Sequence, residues 1–161
     1  MIRVAICDDD IPFTGYFENL IKQASSNLGI VSIIELFFDG ETLLKNISSG
    51  SRYDLIFMDI NMERLDGISA ARYIREIDKT VLLIYSSGYD QYLKELFEVE
   101  PFRFLSKPID DNFLYDILQR PVIVLLYQMI IFNSPLIKQS KKLLYVTYYS
   151  LKVEIELLIY L

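Results

Sequence analysis

The chain has 161 residues, of which 52% are hydrophobic and 24% charged, and its formal net charge is −6 at pH 7. This balance is typical of a globular domain with enough apolar material for a core. The sequence contains no histidine, which excludes Ser-His-Asp and Cys-His catalysis, histidine metal ligands and a phosphohistidine on this chain. Cys7 is the single cysteine, so no intrachain disulfide or Cys-x-x-Cys site can form, and a reducing cytoplasm is the expected compartment. The acidic charge argues against nucleic acid as the direct partner.

A change in composition near Arg120-Pro121 predicts a domain boundary. Residues 1–120 hold 12 Lys/Arg and 20 Asp/Glu, whereas residues 121–161 hold 4 and 2 and contain no glycine. Three aspartates interrupt the first apolar run, so no signal peptide is expected. The longest apolar run of the tail, from Val122 to Phe132, is shorter than the about 20 residues that a membrane-spanning helix needs. We therefore expect one domain over 1–120, an apolar tail over 121–161 and no membrane span.

The first 120 residues predict five strands that alternate with five helices. The predicted strands cover Ile2–Cys7, Val31–Phe38, Asp54–Met58, Val81–Tyr85 and Phe102–Leu105. The first predicted helix begins at Pro12, with Asp10 as candidate N-cap. The other four predicted helices cover Glu41–Ile47, Gly67–Ile77, Tyr92–Phe97 and Asp110–Leu118. Asp39-Gly40 is a predicted turn. The strands are apolar throughout, which is typical of a parallel sheet covered on both faces. The pattern therefore favours an α/β fold with a doubly wound parallel sheet.

Polar residues with complementary chemistry follow four of these strands. Asp8-Asp9 end the first strand, Asp59 the third, Ser87 the fourth and Lys107 the fifth. Each alone is more often a turn or cap residue, but a parallel sheet brings all of them to one edge. Clustered carboxylates repel one another unless a cation joins them, and an all-oxygen site suits Mg²⁺. A lysine and a hydroxyl beside them suit a phosphoryl group, and a carboxylate can be its acceptor.

Residues 1–119 resemble the receiver domain of two-component response regulators. The resemblance is carried by four motifs: Asp8-Asp9, the stretch Met58–Gly67, the step Ser87-Gly88, and Phe104-Leu105-Ser106-Lys107-Pro108. It implies a flavodoxin-like, five-stranded parallel sheet of order 2-1-3-4-5 with helices on both faces. It also implies a signalling switch, not an enzyme, that takes a phosphoryl group from a sensor histidine kinase.

The resemblance assigns a role to each motif residue. Asp59 would be the phosphoacceptor. Mg²⁺ would be bound by Asp9, by Asp8 through water, by Asp59 and by the backbone carbonyl of Asn61. The phosphoryl group would be bound by Lys107 and by Ser87, which is followed by the small Gly88. Phe104 would turn inward on activation. The Lys107-Pro108 peptide bond would be cis, as proline permits.

Two alternatives and one departure from the family pattern concern the site. Ser86 lies next to the switch position, and Ser87 is preferred because Gly88 follows it. Glu63 stands where the family often has proline, which bears on loop rigidity and not on the chemistry. A haloacid-dehalogenase-type phosphatase also uses an aspartyl-phosphate and Mg²⁺, but it requires an aspartate where this chain has Asn61.

The segment Tyr92 to Pro108 resembles receivers attached to LytTR DNA-binding domains. Such a parent would regulate transcription at promoter DNA, with a possible homodimer or output surface formed by the fourth helix, fifth strand and fifth helix, about Gln91 to Leu118. A stand-alone receiver that acts through a protein partner is the alternative. The chain as written is not expected to bind DNA.

Three interpretations of residues 121–161 stay open: an unusual helical tail, a membrane-surface or dimerising segment, and a frameshift product. Back-translation of Gln128 to Glu154 with AT-rich codons, read in another frame, gives a run without stop codons that resembles the start of a LytTR domain. We therefore expect a one-base slip near Arg120 and an out-of-frame tail without an evolved fold.

Overall fold

The structure is a computed structural model that describes residues 1–27, 29–88 and 99–107. Its strands are β1 (Ile2–Cys7), β2 (Ser32–Phe37), β3 (Leu55–Asp59), β4 (Leu82–Ser87) and β5 (Arg103–Ser106), and its helices are α1 (Ile11–Asn27), α2 (Gly40–Ser48) and α3 (Gly67–Ile77). These elements agree with the predicted ones to within about two residues at each end, the usual uncertainty of such boundaries. The helices predicted over 92–97 and 110–118, the domain boundary near 120 and the tail lie outside the described residues.

The five strands form one sheet in the order β2-β1-β3-β4-β5, and every neighbouring pair is parallel. The register aligns Cys7 with Met58, and Asp59 with Ser86. The predicted order 2-1-3-4-5 is therefore confirmed. Because all strands run the same way, their carboxyl ends lie along one edge of the sheet.

Helices cover both faces of the sheet. Successive strand residues point to opposite faces, and Phe57 packs edge-to-face against Phe17 of α1, with ring centroids 4.7 Å apart. On the other face, Met58 belongs to a buried cluster that also holds Leu43 of α2 and Ile74 of α3. Two covered faces explain why the central strands β3 and β4 are apolar up to the polar residues at their carboxyl ends, instead of alternating between apolar and polar residues.

Burial divides the sheet into central and edge strands. All residues of β3 and β4 are buried, and β1 is buried except for Arg3. The edge strands β2 and β5 are mostly half-buried. Within the described ranges, none of the helices has the length and apolarity needed to cross a bilayer.

An aspartate directly precedes each of the three helices that the structure describes. Asp10, the predicted N-cap of α1, accepts a hydrogen bond from Phe13 N at 3.0 Å. Asp66 caps α3 by accepting from Ser69 N at 2.8 Å. Asp39 was predicted as part of a turn but is the N-cap of α2, since it accepts from Thr42 N at 2.8 Å and Gly40 is the first helical residue. A turn and an N-cap favour the same short polar side chain, which is why the sequence did not distinguish them.

Candidate functional site

Three aspartates meet at the carboxyl ends of β1 and β3. Asp8 follows β1 directly, Asp9 comes next, and Asp59 is the last residue of β3. One carboxylate oxygen from each lies within 4.8 Å of the others. Asp8 is 1% exposed and Asp59 6%, whereas Asp9 is exposed. We call these three residues the acidic cluster, and their proximity agrees with the sequence prediction.

Backbone contacts hold the acidic cluster in place. Asp8 N donates to Phe37 O at 3.0 Å, which continues the pairing of β1 with β2 by one residue. The carboxylate of Asp8 accepts a hydrogen bond from Asp10 N at 3.0 Å, so its orientation is tied to the start of α1. The loop that follows Asp59 is bridged by a backbone hydrogen bond, in which Gly67 N donates to Ile60 O at 3.0 Å.

Lys107 inserts its ammonium between the two buried carboxylates. Its Nζ lies 2.6 Å from Asp8 Oδ2 and 3.2 Å from Asp59 Oδ1, and its side chain is 24% exposed. The backbone of Lys107 is fixed as well, since its N donates to Ser87 O at 2.9 Å. A single positive charge therefore faces two buried negative charges, and the nearby third carboxylate of Asp9 leaves the site with a net negative charge.

The pKa values of the three charged groups reflect this imbalance. Burial raises the pKa of Asp59 to about 6; Lys107 opposes the shift, and the charge of Asp8 adds to it. Burial likewise raises the pKa of Asp8, against the lowering effect of its hydrogen bond to Lys107. Burial alone would lower the pKa of Lys107, but the hydrogen bond to Asp8 and the charge of Asp59 raise it above its ordinary value. A second cation would relieve the remaining repulsion.

The donor set of the acidic cluster suits a hard divalent cation. All three side chains offer carboxylate oxygens, and Mg²⁺ is typically bound by one or two carboxylates together with water and phosphate oxygens. Asp9 is exposed, so one side of the cluster is open to water. The residues present therefore fit Mg²⁺.

Both candidate switch serines lie at the end of β4. Ser86 aligns with Asp59 in the neighbouring strand, and Ser87 aligns with Ser106 of β5. Ser86 is 2% exposed and Ser87 1%, while Gly88 after them is exposed. Adjacent residues of a strand point to opposite faces, so the two hydroxyls do not face the same surroundings. The preference for Ser87 over Ser86 stays a prediction.

The remaining predicted residues lie near this edge. Asn61 is exposed, two residues after Asp59, and the role of its carbonyl stays a prediction. Phe104 of β5 aligns with Tyr85 and is partly buried against the core cluster that contains Tyr85. Pro108 lies outside the described residues, so the predicted cis bond after Lys107 stays a prediction.

Sequence reasoning missed one aromatic neighbour of this site. The Phe13 ring of α1 lies under the ammonium of Lys107, with Nζ 4.4 Å from the ring centroid. Phe13 lies in the predicted helix that begins at Pro12, but the sequence indicates no partner for it. No pattern in the sequence joins two residues so far apart, and only the tertiary structure, which places the first turn of α1 beside the residue that follows β5, brings them together.

Comparison with models of known protein families assigns the chain to one of them. The family model of the response regulator receiver domain matches residues 4–119. The chain belongs to this family. The receiver is 29% identical over 119 residues to the transcriptional regulatory protein YpdB of Escherichia coli K12, a match that covers 74% of this chain and 47% of YpdB. The chain thus spans about half the length of this curated relative.

Solved structures show the same fold. The response regulatory domain of MrkE from Klebsiella pneumoniae has a TM-score of 0.68 and 25% identity to the receiver, with 76% of this chain and 96% of that chain covered. The receiver domain of the sensor histidine kinase PA1611 from Pseudomonas aeruginosa has a TM-score of 0.64 and 23% identity, with 75% of this chain and 97% of that chain covered. That structure holds a magnesium ion coordinated in its active-site cleft. The family assignment favours the receiver interpretation over the haloacid-dehalogenase-type phosphatase.

Proposed function

We propose that the receiver accepts a phosphoryl group on Asp59. The observation that carries the proposal is the acidic cluster with Lys107 inserted into it, at 3.2 Å from Asp59 Oδ1. An Asp59 oxygen would form a bond to phosphorus while the donor's bridging P–O bond breaks. With acetyl phosphate as donor, the products are the aspartyl-phosphate and acetate. Phosphoryl transfer needs mainly positioning and neutralisation of charge, which a lysine and a metal site supply together.

Mg²⁺ is the proposed cofactor of this reaction. Asp9 and Asp59 would bind it directly, Asp8 through water, and Asn61 through its backbone carbonyl. The ion would neutralise charge on the phosphoryl oxygens and on the acidic cluster. The magnesium-containing receiver domain of PA1611 supports this assignment by its shared fold. We expect Asp9→Asn to weaken Mg²⁺ binding by roughly tenfold or more, since it removes one of a small set of charged ligands, and a fluorescence or calorimetric titration measures this loss.

The proposed phosphoryl pocket uses Lys107 and one serine hydroxyl. Lys107 would move from the carboxylates to the phosphoryl oxygens, and Ser87 would donate a hydrogen bond to the same group next to the small Gly88. Single Ser86→Ala and Ser87→Ala variants separate the two serines. We expect only the Ser87 change to alter the lifetime of the phosphorylated state, and the opposite result assigns the role to Ser86.

The proposed output is a rearrangement of the β5 side of the domain. Phe104 is partly buried against the core cluster, at the boundary between core and surface where a change of rotamer would alter the exposed face. Its inward turn would remodel the surface over about Gln91 to Leu118, where a homodimer or an output partner binds. A sensor histidine kinase is the proposed donor, and the receiver is proposed to act as a cytoplasmic switch with no turnover of its own.

The intact protein is proposed to be a transcription regulator with a LytTR DNA-binding domain. Support comes from YpdB, whose name describes a transcriptional regulatory protein and of which the match covers only 47%. A stand-alone receiver acting through a protein partner is the alternative. Promoter DNA would be bound by the LytTR domain of the intact protein. The acidic charge of the receiver does not suit DNA binding.

We further propose that the receiver domain covers residues 1–120 and that 121–161 are an out-of-frame remnant. The family match ends at residue 119, and the balance of acidic and basic residues changes at the same place. Sequencing of the source DNA across the codons for 115–161 and beyond tests this. A single added or missing base that restores a LytTR reading frame supports it; a confirmed frame contradicts it.

Intact mass after incubation with acetyl phosphate and Mg²⁺ tests the phosphoacceptor. We expect a gain of one phosphoryl group that is lost in Asp59→Asn and when EDTA replaces Mg²⁺. Asp10→Asn is the matched control, because it changes the next acidic residue while keeping a side chain that can cap α1. A gain that survives Asp59→Asn contradicts the assignment. Steady release of phosphate from many small phosphoesters would instead indicate a phosphatase.

A further inference from the structure

Among the residues that the structure describes, Phe13 joins Asp8 and Asp59 as a neighbour of the Lys107 ammonium. The Nζ-to-centroid distance of 4.4 Å is well inside the about 6 Å over which a cation is attracted to the face of an aromatic ring. Phe13 lies in the first turn of α1 and is partly buried. It does not belong to the acidic cluster, and none of the roles proposed above involves it.

The Phe13 ring is itself held by the core. It stacks on Phe17, with centroids 5.3 Å apart and an interplanar angle of 18°. Phe17 is fully buried and packs edge-to-face on Phe57, two residues before Asp59 in β3. The backbone of Phe13 is anchored too, since its N donates to the Asp10 cap at 3.0 Å. The ring therefore has a fixed position relative to the sheet that carries Asp59.

We propose that Phe13 is a positioning residue that keeps the ammonium of Lys107 at the acidic cluster during phosphoryl transfer. The inference rests on the proposed function of Asp59. The ion pair with Asp8 would weaken once a bound Mg²⁺ offset the charge of that carboxylate, and the ion pair with Asp59 would weaken once an Asp59 oxygen were bonded to phosphorus. The attraction to the Phe13 ring does not change in either event, because no atom of Phe13 takes part. The ring thus retains Lys107 while its anionic partners change from carboxylates to phosphoryl oxygens.

A purely structural role for Phe13 makes a different prediction. If Phe13 only fills space against Phe17, an apolar side chain of similar size would serve as well, and Lys107 would not matter to the effect. If the ring face attracts Lys107, aromatic replacements retain function and aliphatic ones do not. The two roles are therefore separated by Phe13→Leu, Phe13→Met and Phe13→Tyr, each made alone and combined with Lys107→Met.

The experiment measures the rate of phosphorylation by acetyl phosphate with Mg²⁺ in the full chain, by intact mass. We expect Phe13→Leu and Phe13→Met to slow the reaction by about threefold to tenfold, the range of a partly desolvated cation–π contact. Phe13→Tyr should restore at least half of the loss. In the Lys107→Met background the Phe13 changes should have no further effect, because the partner is already absent. Tyr73→Leu, which replaces an exposed aromatic residue of α3, is the control and should match the unmodified chain.

The outcomes separate this inference from the proposed function. If the unmodified chain takes up no phosphoryl group, the function of Asp59 fails and the role of Phe13 fails with it. If the chain is phosphorylated but Phe13→Tyr is as slow as Phe13→Leu, or if the Phe13 effect persists in Lys107→Met, the positioning role alone is overturned. Urea unfolding of each variant identifies any that does not fold, and Leu and Met provide two independent aliphatic tests.

Discussion

Lys107 Nζ lies 2.6 Å from Asp8 Oδ2, although the two residues are 99 positions apart in the sequence. The contact joins the end of β5 to the end of β1, with β3 and β4 between them in the sheet. It exists because the parallel strands end at one edge and because Lys107 N is anchored to Ser87 O at the end of β4. The stability of this edge therefore depends on a charge balance as well as on packing.

Lys107→Met should destabilise the receiver when Mg²⁺ is absent. The change leaves Asp8 and Asp59 buried without their cation. We expect a loss of about 1–3 kcal/mol, less than for a fully buried pair, because Lys107 is partly exposed and Asp59 can take up a proton. Urea unfolding in EDTA measures the loss, and added Mg²⁺ should reduce it. Lys79→Met, an exposed lysine, is the control, and an equal effect of both changes would contradict the explanation.

Asp59→Asn should stabilise the metal-free receiver in a pH-dependent manner. The folded state raises the pKa of Asp59 from 3.8 to about 6, so the folded state binds the proton more tightly than the unfolded chain does. The resulting penalty is present in full above about pH 6 and is relieved as the pH falls from 6 toward 4. We expect Asp59→Asn to gain about 1–3 kcal/mol at neutral pH and nothing at the acid end of this window.

Unfolding of both proteins in EDTA, at several pH values, measures this difference. The difference between the two proteins cancels the contributions of titrating groups remote from Asp59, but it includes the response of Asp8 and Lys107, whose charges interact with that of Asp59. A gain that stayed constant between pH 4 and 6 would show that the ionisation of Asp59 is not its cause. Saturating Mg²⁺ should reverse the sign, since the ion stabilises the cluster with three carboxylates more than the cluster with two.

Gly67→Ala should damage the site through the backbone of Asp59. A Cβ at Gly67 would overlap Asp59 O and lie 2.7 Å from Met58 Cγ, and the backbone oxygen cannot move without moving Asp59, the proposed phosphoacceptor. We expect a loss of about 2–4 kcal/mol in unfolding free energy together with slower phosphorylation. Gly15→Ala in α1 has no atom within 4 Å of the added methyl and should instead gain about 0.5–1 kcal/mol.

Asp66→Ala should loosen the loop that follows Asp59. Asp66 accepts from Ser69 N at 2.8 Å and from Ser69 Oγ at 2.7 Å, so it fixes the start of α3. Loss of an N-cap typically destabilises by about 1 kcal/mol, which thermal unfolding measures. Asp66→Asn retains an accepting oxygen and should lose less than half as much. Equal losses in the two variants would indicate that charge and not capping is responsible.

Much of the fold could be predicted because the signals are local. The apolar runs of β1, β3 and β4 predict strands, and Asp59 and Ser87 mark where two of them end. The identity of Asp39 as a cap depended on a hydrogen bond to Thr42 N, which composition does not reveal. The cluster of Asp8, Asp9 and Asp59 was predictable once the sheet was taken as parallel, because that single assumption places the strand ends together.

The sequence by itself determined the alternation of strands and helices, the parallel sheet and the residue types at its carboxyl edge. These follow from hydrophobic patterning and capping preferences, which act over a few residues. Only the tertiary structure decided how the charges are balanced: that Lys107 faces both Asp8 and Asp59, that Phe13 lies under its ammonium, and that Gly67 leaves no space beside Asp59. Such distances depend on how whole elements pack, and a pair of residues far apart in the chain carries no local pattern that predicts its separation.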